Sequence, residues 1–465
     1  MGMARRQLLF AGGAIVLLLA AGGAYFLKQN KSLRNRMVDL SVLNGVWRSQ
    51  GYGWVWAIKD GSLRTYDESG PYCIETDRDR LRDRLEHGFK LSSDRRQLRL
   101  PLYDPAYQFN FDRVGVLPEA CARAPAKDPE TVLDALDRIF SAHYAFFQTR
   151  KVDWPALMAA AKAKVTPATS EEELLEVMRT LLANIDDNHV SLRGRVNGKK
   201  IVCDTGEGPA LKPVADRARL DGAEPDDMVE RWRQDVWKAA DDLQPTGRTT
   251  ANGNIKYGLT DGDIGFLAIL SMTDFDPDDT DDAAALDDAL DEAMALFENA
   301  KAVIVDASIN DGGEDVLARR IAARFADKRT LVYSKYAGDA PGARPQQIYL
   351  EPSDRSRFTG PVYLLTSNVT VSAAEIFTMA MRALPNVTHA GQATRGALSD
   401  ELTKRLPNGW RITLSNEVYL DAAGKAWEGA GVPPRFAIPV FTENADAAQS
   451  YRQAVRALVD HIRLR

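Results

Sequence analysis

Residues 360–395 read GPVYLLTSNVTVSAAEIFTMAMRALPNVTHAGQATR, and the order of apolar residues within them indicates the class of fold. The run at residues 362–365 is short and apolar enough to be a buried strand. After Ser372 apolar residues recur at helical spacing until Pro385 ends the pattern. The segment therefore predicts a strand that leads through a short turn into a helix, with Ser372 at the helix N-terminus.

Ser372 has two interpretations at this position. The backbone N–H groups of a first helical turn are unpaired, so an oxyanion that forms beside a nucleophilic serine there finds donors aimed at it. Ser372 and Glu375 also have the spacing of a capping box, which needs no chemistry. This segment alone leaves both interpretations open, and helix caps are much commoner than active sites.

A second segment supports an α/β fold. A buried-strand pattern begins at residue 302, ends in the turn at Gly312 and Gly313, and leads to a helix pattern at residues 315–325. Strand, helix, strand and helix in this order predict an α/β core. The two glycines are either a tight turn or a place where bare backbone N–H groups approach a ligand.

A histidine follows the clearest helix pattern of the chain. That pattern covers residues 170–185 and breaks at three polar residues directly before His189, after which a strand pattern begins. A position between two rigid elements suits a catalytic base. The alternative is a cation at a helix end that interacts with the dipole or with Asp186 and Asp187.

Composition excludes some classes of function. A chain of 465 residues with 45% hydrophobic and 27% charged residues is globular and long enough for two to four domains. The net charge of −6 argues against a nucleic-acid partner. The acidic run at residues 274–282 lacks the glycine and glutamate of an EF-hand loop, so we predict neither a metal site nor a cofactor.

The N-terminus predicts export. Arg5 and Arg6 precede an apolar run at residues 8–27, which is about as long as a bilayer-spanning helix. Residues 1–36 are therefore either a cleaved signal peptide or a membrane anchor, and we favour the anchor. The expected location is the bacterial cell envelope, with attachment to the inner membrane through this segment.

The remainder divides into five segments by pattern. Short alternating runs at residues 37–122 predict a small antiparallel β-barrel or sandwich, in which Cys73 and Cys121 are either a disulfide or two buried thiols. Two runs near the end of the core, at residues 410–414 and 417–420, predict a hairpin. The other predicted segments are a helical domain at 127–193, an insertion or cap at 194–252, an α/β core at 253–441 and a C-terminal helix at 442–465.

Three motifs occur in order along the chain: LANIDDNH at residues 182–189, VSAAEIF at residues 371–377 and EGAGVPP at residues 428–434. With the strands between them they closely resemble the tail-specific, C-terminal-processing and tricorn-type serine peptidase family, over residues 129–439. The resemblance implies a crotonase-like (ClpP-like) α/β core.

The resemblance also implies roles for site residues. Ser372 matches the family nucleophile, and Ala397 stands where one branch of the family has a lysine base. In the tricorn-like branch a histidine is the base and a glutamate completes the relay, which are the positions of His189 and Glu428. Asn188 stands where tricorn has a serine before that histidine.

The oxyanion would be held by backbone N–H groups of Ala373 and of Gly313 or Gly312. We expect Asp306 and Asn310 to fix the Gly-Gly turn. Together with Asn188 and Glu375, these are the supporting residues of the predicted site.

By this resemblance the chain is a serine endo- or carboxy-terminal peptidase that acts on protein tails or peptides in the envelope through an acyl-enzyme. The rival interpretation is a non-catalytic peptide- or lipid-binding envelope protein on the same scaffold, and the three filled catalytic positions argue against it. Residues 194–252 take the place of a PDZ module, so we do not expect a C-terminal tail to be tethered there. The sequence is compatible with an oligomer.

Overall fold

The computed structural model describes residues 39–85, 87–102, 104–244, 247–442 and 445–465. The predicted signal peptide or anchor at residues 1–36 lies outside these ranges. Within them, no helix combines the length and the apolar character that crossing a membrane requires.

The N-terminal part is a single antiparallel sheet of seven strands. The strands are β1 (Gly45–Ser49), β2 (Trp54–Lys59), β3 (Ser62–Ser69), β4 (Tyr72–Arg80), β5 (Lys90–Leu91), β6 (Gln97–Leu100) and β7 (Phe109–Val114). Their order in the sheet is β4-β3-β2-β1-β7-β6-β5. Exposed and buried residues alternate along β6, as expected of a strand with one face on a core. The predicted N-terminal antiparallel β structure is therefore present.

Cys73 on β4 forms a disulfide with Cys121, which lies in the short turn Glu119–Ala122 after the sheet. The two Cα atoms are 4.7 Å apart. Val55 and Tyr66 pack beside Cys73, so the bond ties the end of this region to its own sheet. Of the two possibilities for these cysteines, the structure has the disulfide, and Cys203 is a buried free thiol.

Three helices follow, namely α1 (Pro129–His143), α2 (Trp154–Lys162) and α3 (Glu171–Leu182). Each has a side-chain cap on its first turn, from Asp128, Asp153 and Ser170 respectively. The cap of α3 is the predicted capping box between Ser170 and Glu173. The apolar faces of the three helices share one core.

Residues 191–250 contribute two strands, two helices and a short edge strand: β8 (Ser191–Val196), β9 (Lys199–Asp204), α4 (Lys212–Leu220), α5 (Pro225–Ala239) and β10 (Arg248–Thr250). β8 and β9 pair with each other. Val236 and Ala239 on α5 are buried against the main sheet described next. α5 is therefore part of the layer that covers this sheet.

The core contains β11 (Ile255–Thr260), β12 (Ile264–Ile269), α6 (Asp282–Leu296), β13 (Ala302–Asp306), α7 (Asp315–Ala322), β14 (Thr330–Ala337), β15 (Gln346–Leu350), β16 (Val362–Thr366), α8 (Ala373–Arg382) and β17 (Val387–Gly391). The chain ends with β18 (Glu401–Arg405), β19 (Arg411–Ser415), β20 (Glu417–Asp421), β21 (Phe436–Ala437) and α9 (Ala447–Arg463).

The main sheet has the order β10-β11-β12-β13-β16-β17-β21, and its strands are parallel from β12 onward. Alternate residues of a strand face opposite sides. Accordingly Val303 and Val305 pack with α6, α7 and α8, whereas Ile304 packs with α5 and α9. Helices therefore cover both faces, and the predicted α/β core is confirmed.

The predicted hairpin between residues 410–414 and 417–420 is wrong. β19 pairs with β18 and β8, whereas β20 pairs with β14. Only Asn416 separates β19 from β20, which is too short for a hairpin loop. The chain instead passes from one sheet to another at this residue.

The disulfide generates a prediction about stability. Replacing both Cys73 and Cys121 by serine should lower the free energy of unfolding by up to about 4 kcal/mol, because the bond closes a loop of 48 residues in the unfolded chain. Chemical denaturation with and without a reductant measures the change. The double variant should not respond to the reductant, and equal stability of the two proteins would contradict the prediction.

Candidate active site

Ser372 lies in a strained turn directly before α8. Its φ and ψ angles are 60° and −129°, a conformation that residues other than glycine rarely adopt. Neighbouring backbone holds the turn, since the N–H of Ser372 donates to the Ala397 carbonyl at 3.1 Å and that of Val371 to the Asn310 carbonyl at 3.2 Å. The Thr370 hydroxyl donates to the Ala307 carbonyl at 2.8 Å. The strain presents the Ser372 side chain at the surface of the turn.

The capping-box interpretation of Ser372 and Glu375 is wrong. The Ser372 side chain makes no capping hydrogen bond. The Glu375 carboxylate is fully buried and accepts from the Thr394 hydroxyl at 2.5 Å and from the N–H groups of Gly396 and Ala397, each at 2.8 Å. Glu375 therefore supports the loop that carries the Ala397 carbonyl, which in turn holds Ser372.

His189 is the side chain that meets the Ser372 hydroxyl. Its Nε2 lies 3.0 Å from Ser372 Oγ, although the two residues are 183 positions apart. The His189 backbone N–H donates to Asp187 Oδ1 at 3.0 Å, and the buried Asp187 also accepts from the hydroxyls of Tyr144 and Ser415. Asp187 thus anchors the loop between α3 and β8 that positions the imidazole. Among the described residues, His189 Nδ1 has no hydrogen-bond partner.

Two backbone N–H groups beside Ser372 are available to an oxyanion. No partner for the N–H of Ala373 or of Gly313 is present among the residues described. The Gly312 N–H, in contrast, donates to Asn310 Oδ1 at 2.9 Å and is not available. The choice that the sequence left between Gly312 and Gly313 therefore falls on Gly313.

Asn310 fixes the glycine turn, but Asp306 does not. Besides accepting from Gly312, the Asn310 side chain donates to the Ile269 carbonyl at 2.9 Å. The Asp306 carboxylate accepts instead from the Ser308 N–H at 2.8 Å and from the Tyr451 hydroxyl at 2.5 Å. Asp306 therefore joins the end of β13 to the C-terminal helix, and burial raises the pKa of its carboxyl.

Glu428 does not contact His189 in this structure, so a direct hydrogen bond of the predicted relay is absent between these two residues. Glu428 Oε2 accepts from the N–H groups of Leu398 and Ser399 at 2.8 and 3.1 Å, and Oε1 accepts from the Arg150 guanidinium at 2.5 Å. Its two oxygens are thus occupied by these donors. Burial raises the pKa of Glu428 to about 8, with Asp187 adding to the rise and Arg150 opposing it.

Arg150 links the two carboxylates behind the histidine. Its Nε lies 3.2 Å from Asp187 Oδ2, and only 4% of its side chain is exposed. Two carboxylates, Asp187 and Glu428, therefore share one buried guanidinium. No motif surrounds Arg150 in the sequence, and its partners are 37 and 278 residues away, so only the folded chain identifies it.

Asn188 and the loop at residues 394–397 complete the surroundings. Asn188 Oδ1 is buried and has no partner among the described residues, so no contact of this atom with His189 or Glu428 is seen. The Arg395 side chain reaches the Asp186 carboxylate and the Gly206 carbonyl. The lysine position of the other branch is occupied by Ala397, whose carbonyl holds the Ser372 N–H.

A cleft of about 890 Å³ opens onto Ser372 and His189. The N-terminal sheet contributes aromatic side chains to one wall, and the core and β18 contribute acidic ones. Its lining includes Tyr52, Trp54, Phe109, Asp104, Glu314, Asp315, Asp400, Glu401, Asn416 and Glu417.

A strained serine at a helix start, a histidine nitrogen 3.0 Å from its hydroxyl and unpaired N–H groups beside it are the parts of a serine hydrolase. Residues 263–438 match the family model of peptidase family S41. This core of the chain is therefore a peptidase S41 domain, and the protein is a serine-type peptidase.

Solved structures share the fold. A candidate peptidase from Parabacteroides merdae is 25% identical over 72% of this chain and 97% of its own, with a TM-score of 0.56. Mature CPAF is 13% identical over 72% of this chain and 97% of its own, with a TM-score of 0.51, and its complex with lactacystin gives 0.50. At that identity the likeness to CPAF shows the fold alone.

The glycine turn generates a prediction. A Cβ at Gly312, where φ is +96°, would lie 2.6 Å from the Ser372 Cβ and 2.9 Å from the Val371 carbonyl oxygen. Gly312→Ala should therefore displace Ser372 and slow its reaction with a fluorophosphonate about 100-fold. Gly342→Ala is the matched control, because that glycine also has a positive φ, +74°, but nothing within 4 Å of the added carbon. If Gly312→Ala and Gly342→Ala react at equal rates, the glycine turn does not position Ser372 as the nucleophile.

Proposed function

We propose that this protein is a peptidase of the cell envelope that cleaves peptide bonds through an acyl-enzyme on Ser372, with His189 as the base. The observation that carries the proposal is the 3.0 Å contact between His189 Nε2 and the hydroxyl of a serine in a strained conformation. A serine hydroxyl is a poor nucleophile until a neighbouring base takes its proton. His189 is placed to do so.

The reaction proceeds in two halves. Ser372 Oγ attacks the substrate carbonyl carbon while His189 Nε2 takes the hydroxyl proton, and the N–H groups of Ala373 and Gly313 donate to the oxyanion. His189 then gives the proton to the leaving amine, which departs and leaves an ester on Ser372. A water molecule, deprotonated by His189, attacks the ester, and Ser372 recovers its proton when the acid product leaves.

We propose that Glu428 acts on His189 through its charge. Among the described residues, Glu428 and Asp187 lie in one buried group with a single cation, Arg150, so the group is negative whenever both carboxyls are ionised. A buried negative charge favours the imidazolium that forms in the transition state. Glu428 also holds the N–H groups of Leu398 and Ser399, next to the carbonyl that holds Ser372.

The rival function is peptide or lipid binding without catalysis. The chain offers a nucleophile, a base in contact with it and unpaired oxyanion donors, and a binding protein has no need of this combination. Peptide or protein substrates are therefore favoured over a passive ligand. Cleavage within a chain or at its C-terminus is compatible with the cleft, because a second pocket shares Trp54, Leu102 and Thr403 with it as lining residues.

The disulfide supports a place outside the cytoplasm. Disulfides form and persist in oxidising compartments such as the periplasm. Together with the apolar run at residues 8–27 and the arginines before it, the Cys73–Cys121 bond favours a peptidase held at the inner membrane with its catalytic part outside the cytoplasm.

Labelling with a fluorophosphonate tests the nucleophile. The wild type should take up one label, Ser372→Ala none, and His189→Gln should react slowly because its serine lacks a base. Intact-protein mass spectrometry counts the labels, and thermal melting shows whether each variant is folded. Equal labelling of the wild type and folded Ser372→Ala would refute the assignment.

The pKa of Glu428 generates a separate test. Glu428 loses its proton as the pH rises through about 8, so its negative charge assists His189 more at pH 9 than at pH 6.5. We expect Glu428→Gln to lower kcat on the order of 10-fold at pH 9 and less at pH 6.5, a smaller effect than loss of an acid bonded to the ring. Steady-state kinetics at both pH values measure this. If the ratio of the wild-type kcat to the Glu428→Gln kcat is the same at both pH values, Glu428 has only a structural role.

A further inference from the structure

We propose that the cleft beside Ser372 selects substrates that carry a lysine or arginine side chain next to the scissile bond, an inference that rests on the proposed function. Three observations lead to it. They are an excess of carboxylates over cations in the cleft, an unpaired acceptor on a buried side chain and an aromatic wall.

The carboxylates outnumber the cations that pair with them. Six acidic residues line the cleft: Asp104, Glu314, Asp315, Asp400, Glu401 and Glu417. Asp104 is paired with Arg319 at 2.5 Å and Glu417 with Lys335 at 2.6 Å, while Asp400 shares the same lysine at 3.3 Å. Among the described residues, no cation lies within 4 Å of the carboxylates of the other three. The cleft therefore attracts a cation.

Two of the acids lie close together, since the Tyr419 hydroxyl is 3.1 Å from an oxygen of Asp315 and 3.3 Å from an oxygen of Asp400. In the sequence, Asp315 is two residues after the oxyanion donor Gly313. Asp400 is three residues after Ala397, whose carbonyl accepts from the Ser372 N–H. Burial raises the pKa of Asp315 to about 7, Asp400 adds to the rise and Lys335 opposes it. A second cation in the cleft would offset the repulsion between these two carboxylates.

Asn416 carries an unpaired acceptor beside the cleft. Its side chain is buried, its Nδ2 donates to the His143 carbonyl at 2.8 Å, and it lines the cleft. Its Oδ1 has no partner in the part of the chain that the structure describes. Lysine and arginine have only donors to offer, so they match the carboxylates of the cleft.

The aromatic wall of the cleft suits the alkyl stem and the cation of such a side chain. Tyr52 and Trp54 stack with their ring centroids 4.6 Å apart, and Phe109 packs beside both. Cations bind the faces of aromatic rings, and their alkyl stems cover apolar surface. The cleft already holds one such pair, since Lys335 Nζ lies 3.5 Å from the ring centroid of Tyr107.

The cation belongs to a side chain within the substrate rather than to its amino terminus. A second pocket of about 240 Å³ shares Trp54, Leu102 and Thr403 with the cleft as lining residues. A peptide bound beside Ser372 therefore has room to extend further. A metal ion is a poorer fit, because no group of three or more potential ligands in the described ranges is arranged to hold one.

Internally quenched peptides test the selection. Each position flanking the bond carries in turn lysine, arginine, norleucine or glutamate, with the amino terminus either free or acetylated. We expect kcat/KM about 10-fold or more higher for lysine or arginine than for norleucine, which has a similar length but no charge. Asp400→Asn and Asp315→Asn should each lower that ratio several-fold, and 0.5 M salt should lower it for the wild type.

The control variant is Asp263→Asn, which removes the same charge from a surface ion pair with Lys301 outside the cleft and should leave the ratio unchanged. Asp400 has 58% of its side chain exposed, so its replacement should not disturb folding even if that of Asp315 does. Equal kcat/KM for lysine and norleucine in a protein that a fluorophosphonate labels would overturn this inference alone. Dependence on a free amino terminus instead of the side chain would overturn it too. Absence of both labelling and cleavage would overturn the proposed function with it.

Discussion

The conformation of Ser372 is the constraint on which the site depends. A non-glycine residue at a φ of 60° costs free energy, and it persists only where the surroundings determine it. Here the determining contacts come from two segments, through the carbonyls of Ala307, Asn310 and Ala397. The first two follow β13 and the third belongs to the loop after β17, so the parallel order of the main sheet brings them to the same edge. The strained conformation of Ser372 is thus maintained by loops at the carboxyl edge of the main sheet.

The base reaches this edge from a different core. His189 belongs to the loop after α3. Among the described residues, α1, α2 and α3 pack with β8 and β19 in a core separate from that of the main sheet. The loop of His189 is anchored on Asp187, and Arg150 joins Asp187 to Glu428 near the serine. Replacing one partner of such a buried group leaves the others uncompensated, which is usually far costlier than the group's net contribution to stability. The alignment of His189 with Ser372 therefore rests on electrostatics buried between the two cores.

Sequence patterns predicted those site residues that stand next to a recognisable element in the chain. Ser372 stands at a strand-to-helix transition and His189 at a helix end, and motif resemblance then gave each a role. The sequence could not distinguish Gly312 from Gly313, because the answer depends on where the Asn310 side chain turns. The sequence prediction placed Asp306 at the glycine turn. Its actual partner, Tyr451, is 145 residues away, and no pattern near Asp306 indicates that contact. The contact of Glu428 with Arg150 was missed for the same reason, and so was the composition of the cleft.

The N-terminal sheet changes what the core can recognise. It contributes Tyr52 and Trp54 to the cleft, and the Tyr52 hydroxyl bonds to Glu417 at 2.5 Å. It is also joined to β18 by a buried ion pair between Asp67 and Lys404, at 3.2 Å. The N-terminal sheet, held to the core by these contacts, therefore forms part of the cleft wall. It does not bind substrate at a separate, distant position. The core supplies the nucleophile and the oxyanion donors, whereas the shape and charge of the substrate that fits depend on both. Loss of the sheet would therefore alter specificity more directly than it would alter the geometry of Ser372.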